Sequence, residues 1–293
     1  MKVCVHDTDL VVYEAAFCVQ KKEDDGEYLN WYQVSQIVNT IMRRILKGSR
    51  CTHHLGFLTD SATNFRLARA TTLPYKGRRK EKEKPSFYDD IREYLQKHWG
   101  AQMMYGVEAD DALTIASEHF KSKGISSLIA TKDKDLWQYP GEHFNMNTNE
   151  LMQITEEEAH RNLWRQMILG DMGTDNIPGL SYAYVEGRQP YNGKHFRPTP
   201  CQQFGKVAAN KILDSTPPEE YAEKIYELYV DAYWEPDEDD DLAEQRFQET
   251  FDLIFMLREA PKDLKIHFNP IKIKAKDLEF FSDIKGYQPK LEF

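Results

Sequence analysis

Cysteine is scarce in this chain and never paired at short range. Cys4, Cys18, Cys51 and Cys201 are far apart and form no C-x-x-C, which argues against a zinc ribbon or a disulfide framework and fits a reducing compartment. Long apolar runs are missing too. No stretch approaches the roughly 18 residues a membrane span needs. Acids interrupt the apolar start Met1-Lys-Val-Cys-Val-His-Asp7 too early for a signal-peptide core. The expectation is a cytoplasmic protein with no membrane partner. Positive charge is in deficit, with 38 Lys and Arg against 48 Asp and Glu and a formal net charge of -10. Such a chain is not a general polyanion binder, so nucleic-acid contact must come from a local basic patch. One exists: Lys76 to Lys84 reads Lys-Gly-Arg-Arg-Lys-Glu-Lys-Glu-Lys. No internal repeat is visible.

What the chain does have is acid at the ends of apolar runs. Ser127 to Leu136 opens as a buried strand and closes on Asp133 and Asp135. Val3 to Val5 reads as a first strand ending at His6-Asp7, with Asp9 beyond it. His54 to Leu58 is a second strand, running into Asp60. Between them, Trp31 to Leu46 carries Val34, Ile37, Val38, Ile41 and Ile45 at helical spacing and ends in Lys47-Gly48. Pro85 to Trp99 predicts a helix and Gln102 to Tyr105 a third strand. Glu108-Ala-Asp-Asp111 then opens a helix whose apolar face continues through Leu113, Ala116 and Phe120. This alternation up to about residue 150 predicts an α/β fold, a parallel-rich sheet flanked by helices. Ligands in such sheets collect beyond the carboxyl ends of the strands.

Beyond that point the pattern turns helical: 156–169, 205–213, 218–233 and 245–257, with a turn-rich stretch at 170–180, an insertion at 181–203 and an acidic run at 235–241. The expected organisation is an α/β core over 1–155, with a short basic region at 74–99, and a helical lobe over 156–293.

Asp7, Asp9, Asp60, Glu108, Asp110, Asp111, Asp133, Asp135, Asp171 and Asp175 are the candidate site residues. Each cluster has an ordinary reading on its own. Acids in a first helical turn offset the dipole, Asp-x-Asp after a strand serves turns, and a basic run is often a solvated surface. Their joint occurrence on one predicted edge points further. Carboxylates gathered without cations repel by about 4 kcal/mol per pair at 4 Å and an effective dielectric of 20. Oxygen-only ligation suits Mg²⁺ or Mn²⁺, and two such ions serve phosphodiester hydrolysis.

In the order Val5-His-Asp-Thr-Asp9, Phe57-Leu-Thr-Asp60 with Phe65-Arg66, Tyr75-Lys-Gly-Arg-Arg79, Gly106-Val-Glu-Ala-Asp-Asp111, Ala130-Thr-Lys-Asp-Lys-Asp-Leu136, and Gly170-Asp171 through Asp175-Asn-Ile-Pro-Gly179, the chain resembles the 5′ nuclease family of flap endonucleases and bacteriophage 5′→3′ exonucleases. The resemblance covers about residues 3 to 214. It implies a PIN-like core with a helix-hairpin-helix lobe at about 165–214. It places Asp7, Asp60, Glu108, Asp110 and Asp111 around a first metal and Asp133, Asp135, Asp171 and Asp175 at a second. Lys76 and Arg79 would grip the scissile phosphate, Tyr75 would stack on the terminal base, and Arg66 matches a further family position, with a salt bridge within the fold as its equal alternative. Arg78, Lys80, Gly179, Gly205 and Lys206 would contact DNA, and the hairpin would hold K⁺. The chain departs from the pattern in three places. Asp171 and Asp175 are four apart rather than three, 181–203 splits the hairpin, and only Arg78 to Pro85 is available for the family's arch. The implied activity is 5′→3′ exonucleolysis of duplex DNA and RNA–DNA hybrids, with flap cleavage, in replication, primer removal or recombination, alongside replication proteins and in the host cytoplasm if phage-encoded. A ribonuclease of related PIN-like fold and a non-catalytic branched-DNA binder are the competing readings.

Overall fold

A computed structural model describes residues 1–77, 83–186, 204–233 and 241–278. Strand β1 (Lys2–Asp7) is buried from Val3 onward, as a strand covered on both faces must be. Helix α1 (Thr8–Asp24) starts at once, with the Asp7 carboxylate accepting the Leu10 N–H at 3.3 Å as its N-cap. Helix α2 (Trp31–Ser49) opens on a reciprocal capping box, Asn30 with Gln33. Its stripe of Val34, Ile37, Val38, Ile41 and Ile45 is buried, as the periodicity predicts. Gly48 differs from its expected part as a helix stop. It lies inside the helix, where the Phe144 ring occupies the space a Cβ would need.

Next come β2 (His53–Thr59), the short α3 (Arg66–Arg69), α4 (Tyr88–Trp99), β3 (Gln102–Met104), α5 (Ala109–Ser122) and β4 (Ser126–Thr131). A 3₁₀ turn at Asp135–Gln138 leads into β5 (Gly141–Asn145) and β6 (Glu150–Ile154). The helical half holds α6 (Glu156–Leu169), α7 (Tyr182–Val185), α8 (Lys206–Asp214), α9 (Tyr221–Tyr233) and α10 (Asp241–Ile254), before a final short strand β7 (Ile271–Lys272). Of the insertion at 181–203, positions 187–203 lie outside the described residues. No helix among the described residues is long and apolar enough to cross a membrane.

The strand order is β3-β2-β1-β4-β5-β6, with β7 beside β2. Pairings from β3 across to β5 are parallel, whereas β5–β6 and β2–β7 are antiparallel. The chain steps from β1 to β2 and β3 on one side, then returns to place β4 on the other side of β1. That reversal sits between the carboxyl ends of β1 and β4, the crevice where open α/β sheets bind ligands. His6 is in register with Ala130, which brings Asp7 and the Asp133 turn to that crevice.

One sheet face packs on α1, α2 and α4, and the other on α5. A third apolar cluster joins α6, α8, α9 and α10 and takes in Tyr75 from the basic loop. After α10 the chain leaves the helical cluster. Met256, Leu257, Leu264, Ile266 and Phe268 pack with α5 on the second sheet face.

Candidate metal centre

At the carboxyl edge, Asp7 caps α1 and is 5% exposed. Burial, then Asp9 and Asp133, push its carboxyl up to about 8. Asp110, in the first turn of α5, is raised well above the ordinary value by burial and then by Asp7, Asp133 and Glu108. Its Oδ1 is buried with no hydrogen-bond partner, and native interiors rarely leave such an atom without some partner. Asp133 turns its Oδ1 to the Asp135 N–H at 2.9 Å. Asp135 is pushed up to about 7 by burial and then by Asp133, Asp171 and Asp175, and its Oδ1 accepts from the Gln166 side chain at 2.6 Å. Two groups of acids therefore face each other, and Asp133 adds repulsion to both.

Lys76 bridges them. Its Nζ donates to Glu108 Oε1 and lies 3.6 Å from Asp175 Oδ2. The backbone of Lys76 is left-handed, with φ 53, and its N–H donates to the Asp175 carbonyl at 2.8 Å. Asn176 likewise donates from its side chain to the Pro74 carbonyl at 3.0 Å. The basic loop is thus stitched to the turn after α6. In that turn Asp171 and Ile177 exchange two backbone hydrogen bonds. Gly170 and Gly179 both have positive φ and pack backbone against backbone, so a Cβ on either would collide with the other strand of the turn. Glu108 goes the opposite way to Asp7. Burial pushes it up, but Lys76 and then Arg66 outweigh that and hold it below the usual carboxylate range.

Several expected residues stand elsewhere or do something else. Arg66 is fully buried, and of its two readings the geometry displays the salt bridge within the fold rather than a cation open to substrate. It forks onto Asp111 at 2.5 and 2.9 Å and donates to the Leu253 and Phe255 carbonyls at 3.0 and 2.8 Å. Asp111 is corrected as a metal ligand: the Leu257 N–H at 3.1 Å and the Glu108 N–H at 3.2 Å complete its partners, so its oxygens are taken. Tyr75 does not offer a base-stacking face. It is 4% exposed, its ring lies in the helical core, and its hydroxyl donates to Glu108 at 2.8 Å. Asp60 turns its carboxylate to its own loop, accepting from the Thr63 hydroxyl at 2.9 Å. Asp9 ties the start of α1 to β2 and α4 through the Thr59 N–H at 2.8 Å and Arg92 at 2.6 Å. Arg78, Arg79 and Lys80 lie outside the described residues. Gly205 caps α8, and Lys206 opens that helix. Arg92 and Gln166 escaped the sequence reading, since neither sits in a motif.

Among the described residues, no three His, Cys, Asp or Glu side chains close around one point at metal-ligand distance. Mg²⁺ keeps several waters and takes one or two carboxylates plus substrate phosphate. The donors are oxygen only, Asp110 Oδ1 lacks a partner, and the acids repel one another, so a hydrated divalent ion suits the crevice.

The raised carboxyls fix a pH dependence. Unfolded, Asp7 and Asp135 titrate near 3.9; folded, they titrate at about 8 and about 7. Between those limits the native state holds protons the unfolded chain has released, so stability falls as pH rises across the window. The melting temperature of metal-free protein is expected to drop between pH 5 and pH 8, and Mg²⁺ to raise it more at pH 8 than at pH 5. A melting temperature indifferent to Mg²⁺ at pH 8 would count against an ion site here.

A sequence model of the 5′-3′ exonuclease N-terminal, resolvase-like domain matches residues 2–164. No curated protein sequence matches the chain. Among solved structures, a point mutant of the bacteriophage T5 5′-exonuclease aligns with a TM-score of 0.51 and 13% identity, over 86% of this chain and 87% of that one, a likeness of fold. The T5 D15 protein co-crystallised with metal ions aligns with a TM-score of 0.46 and 14% identity over 86% and 99% of the two chains. A variant of the T5 D15 flap endonuclease, in a pseudo-enzyme-product complex with DNA and metal ions, aligns with a TM-score of 0.48 and 13% identity over 87% and 99%.

Proposed function

The chain belongs to the 5′-3′ exonuclease family, and from that premise we propose that it is a divalent-metal-dependent nuclease hydrolysing phosphodiester bonds from the 5′ ends of duplex DNA and RNA–DNA hybrids. The observation that carries the reading is the acidic crevice between β1, β4 and α5, where the Lys76 ammonium is held between Glu108 and Asp175. A pocket of mutually repelling acids attracts no phosphate by itself, which speaks against binding alone. Divalent ions bound there supply positive charge to the phosphate and make water more acidic.

The protein's own groups do the rest. Lys76, fixed at its backbone by Asp175 and at its ammonium by Glu108, offers a preplaced cation to a phosphate oxygen, and preplaced charge is worth more than charge that must reorganise. Asp110 and Asp135, the acids most crowded by like charge, are the groups that an ion relieves most. The turn at 170–180 and the start of α8 present backbone N–H groups from the helical cluster to duplex phosphates without reading sequence. In this account Mg²⁺ or Mn²⁺ is the cofactor, with K⁺ in the hairpin, and the DNA substrates include flaps.

Side-by-side digestion of 5′-labelled and 3′-labelled duplex, flap, RNA–DNA hybrid and single-stranded RNA tests the reading. Mg²⁺-dependent release of the 5′ label is expected first. Preferential loss of single-stranded RNA would favour a ribonuclease, and duplex binding without nucleotide release would leave only a binding protein.

A further inference from the structure

Between α3 and Lys76 the loop contains no regular secondary structure, so its position has to be imposed from outside. The imposing group comes from the far end of the chain. Glu249, on α10 and 6% exposed, points its carboxylate into the loop and accepts the Thr71 N–H at 2.6 Å, the Thr72 N–H at 2.7 Å and the Thr72 hydroxyl at 2.5 Å. Arg246, one turn earlier on α10, lies 3.4 Å from the same carboxylate, donates to the Thr72 hydroxyl and reaches Glu186 at the end of α7 at 3.1 Å. A buried carboxylate is stabilised only by such donors, so the contact is specific and resists sliding.

The same helix also holds the other end of the segment. The Leu253 and Phe255 carbonyls, at and just beyond the end of α10, receive Arg66, which opens α3 and pairs with Asp111 under the Glu108 N–H. Between these grips, Pro74 fixes one backbone torsion, and Tyr75 is packed into the helical core with its hydroxyl on Glu108. Little freedom is left to Lys76.

Resting on the nuclease reading above, we propose that Glu249 is a positioning residue for cleavage, which sets where the Lys76 ammonium stands by clamping Thr71 and Thr72. Duplex affinity depends on other surfaces, so the clamp acts on the chemical step. Misplacement of a reacting group by about 1 Å costs on the order of 100-fold in rate.

The test measures single-turnover cleavage of 5′-labelled duplex at saturating enzyme with Mg²⁺, and duplex Kd with Ca²⁺, for wild type, Glu249→Gln, Lys76→Ala and the double variant. Glu249→Gln is expected to slow cleavage by roughly tenfold or more with Kd within about twofold of wild type. The double variant is expected to be no slower than Lys76→Ala alone, because residues acting through one group do not add. A wild-type rate for Glu249→Gln would overturn the proposal, as would the same loss in the Lys76→Ala background as in wild type. Should Glu249→Gln lose the wild-type near-UV circular dichroism, Thr72→Val decides: it removes one donor, buries no new charge, and is expected to show the same non-additivity with Lys76→Ala. A wild type that releases no nucleotide sinks the nuclease reading and the proposal together, whereas an active wild type matched by Glu249→Gln sinks the proposal alone.

Discussion

Asp110→Asn is expected to lower Mg²⁺-dependent cleavage by roughly 100-fold or more while raising the melting temperature of the metal-free protein. The two effects share one cause. Asp110 sits among Asp7, Asp133 and Glu108 with its Oδ1 lacking a hydrogen-bond partner, so its charge strains the fold and is useful only to a cation. The amide keeps the shape and removes the repulsion from Asp7, Asp133 and Glu108. Sites that trade stability for activity behave this way. Thermal melts at pH 8 without divalent ion, set beside cleavage rates, check both halves. A variant that melts lower than wild type would show that Asp110 is a structural acid.

Arg66→Ala is expected to have the largest effect on stability, with a loss of about 3 to 5 kcal/mol. The side chain is fully buried. Removing it strands the Asp111 carboxylate and leaves the Leu253 and Phe255 carbonyls without their donor. Activity should fall with it, and because Arg66 is also a grip on the segment that carries Lys76, the cleavage rate per folded molecule should stay below wild type at a temperature where the variant is native. Denaturant unfolding followed by tryptophan fluorescence gives the first number and cleavage at low temperature the second. A variant of normal stability with no activity would return Arg66 to the catalytic machinery. The contrast is diagnostic: Asp110→Asn separates stability from activity, and Arg66→Ala joins them.

The sheet and the acidic edge were legible because they are local. Each of Asp7, Asp110, Asp133 and Asp135 follows an apolar run or opens a helix, and the periodicity of that run fixes which end of the sheet it meets. Lys76 was legible through its basic run. What escaped depends on pairings distant in sequence. Nothing near Arg66 reveals that Asp111 lies across from it, and a buried arginine and a phosphate-gripping one look alike in a string of letters. For Tyr75 the family resemblance implies stacking on a terminal base, and the local sequence does not show the helical cluster that covers it, which is built from residues beyond 160. Glu249 sits on an ordinary amphipathic helix, and only the fold brings it to Thr71 and Thr72. Gly48 was misread for the same reason, since Phe144 arrives from a different strand.

The central claim, that these distant acids share divalent cations, is tested most directly by Mn²⁺ titration followed by electron paramagnetic resonance, comparing wild type with Asp135→Asn and Asp110→Asn. Wild type is expected to take up Mn²⁺ and each variant to bind it more weakly. Equal uptake by all three proteins, or none by wild type at millimolar Mn²⁺, would contradict the account.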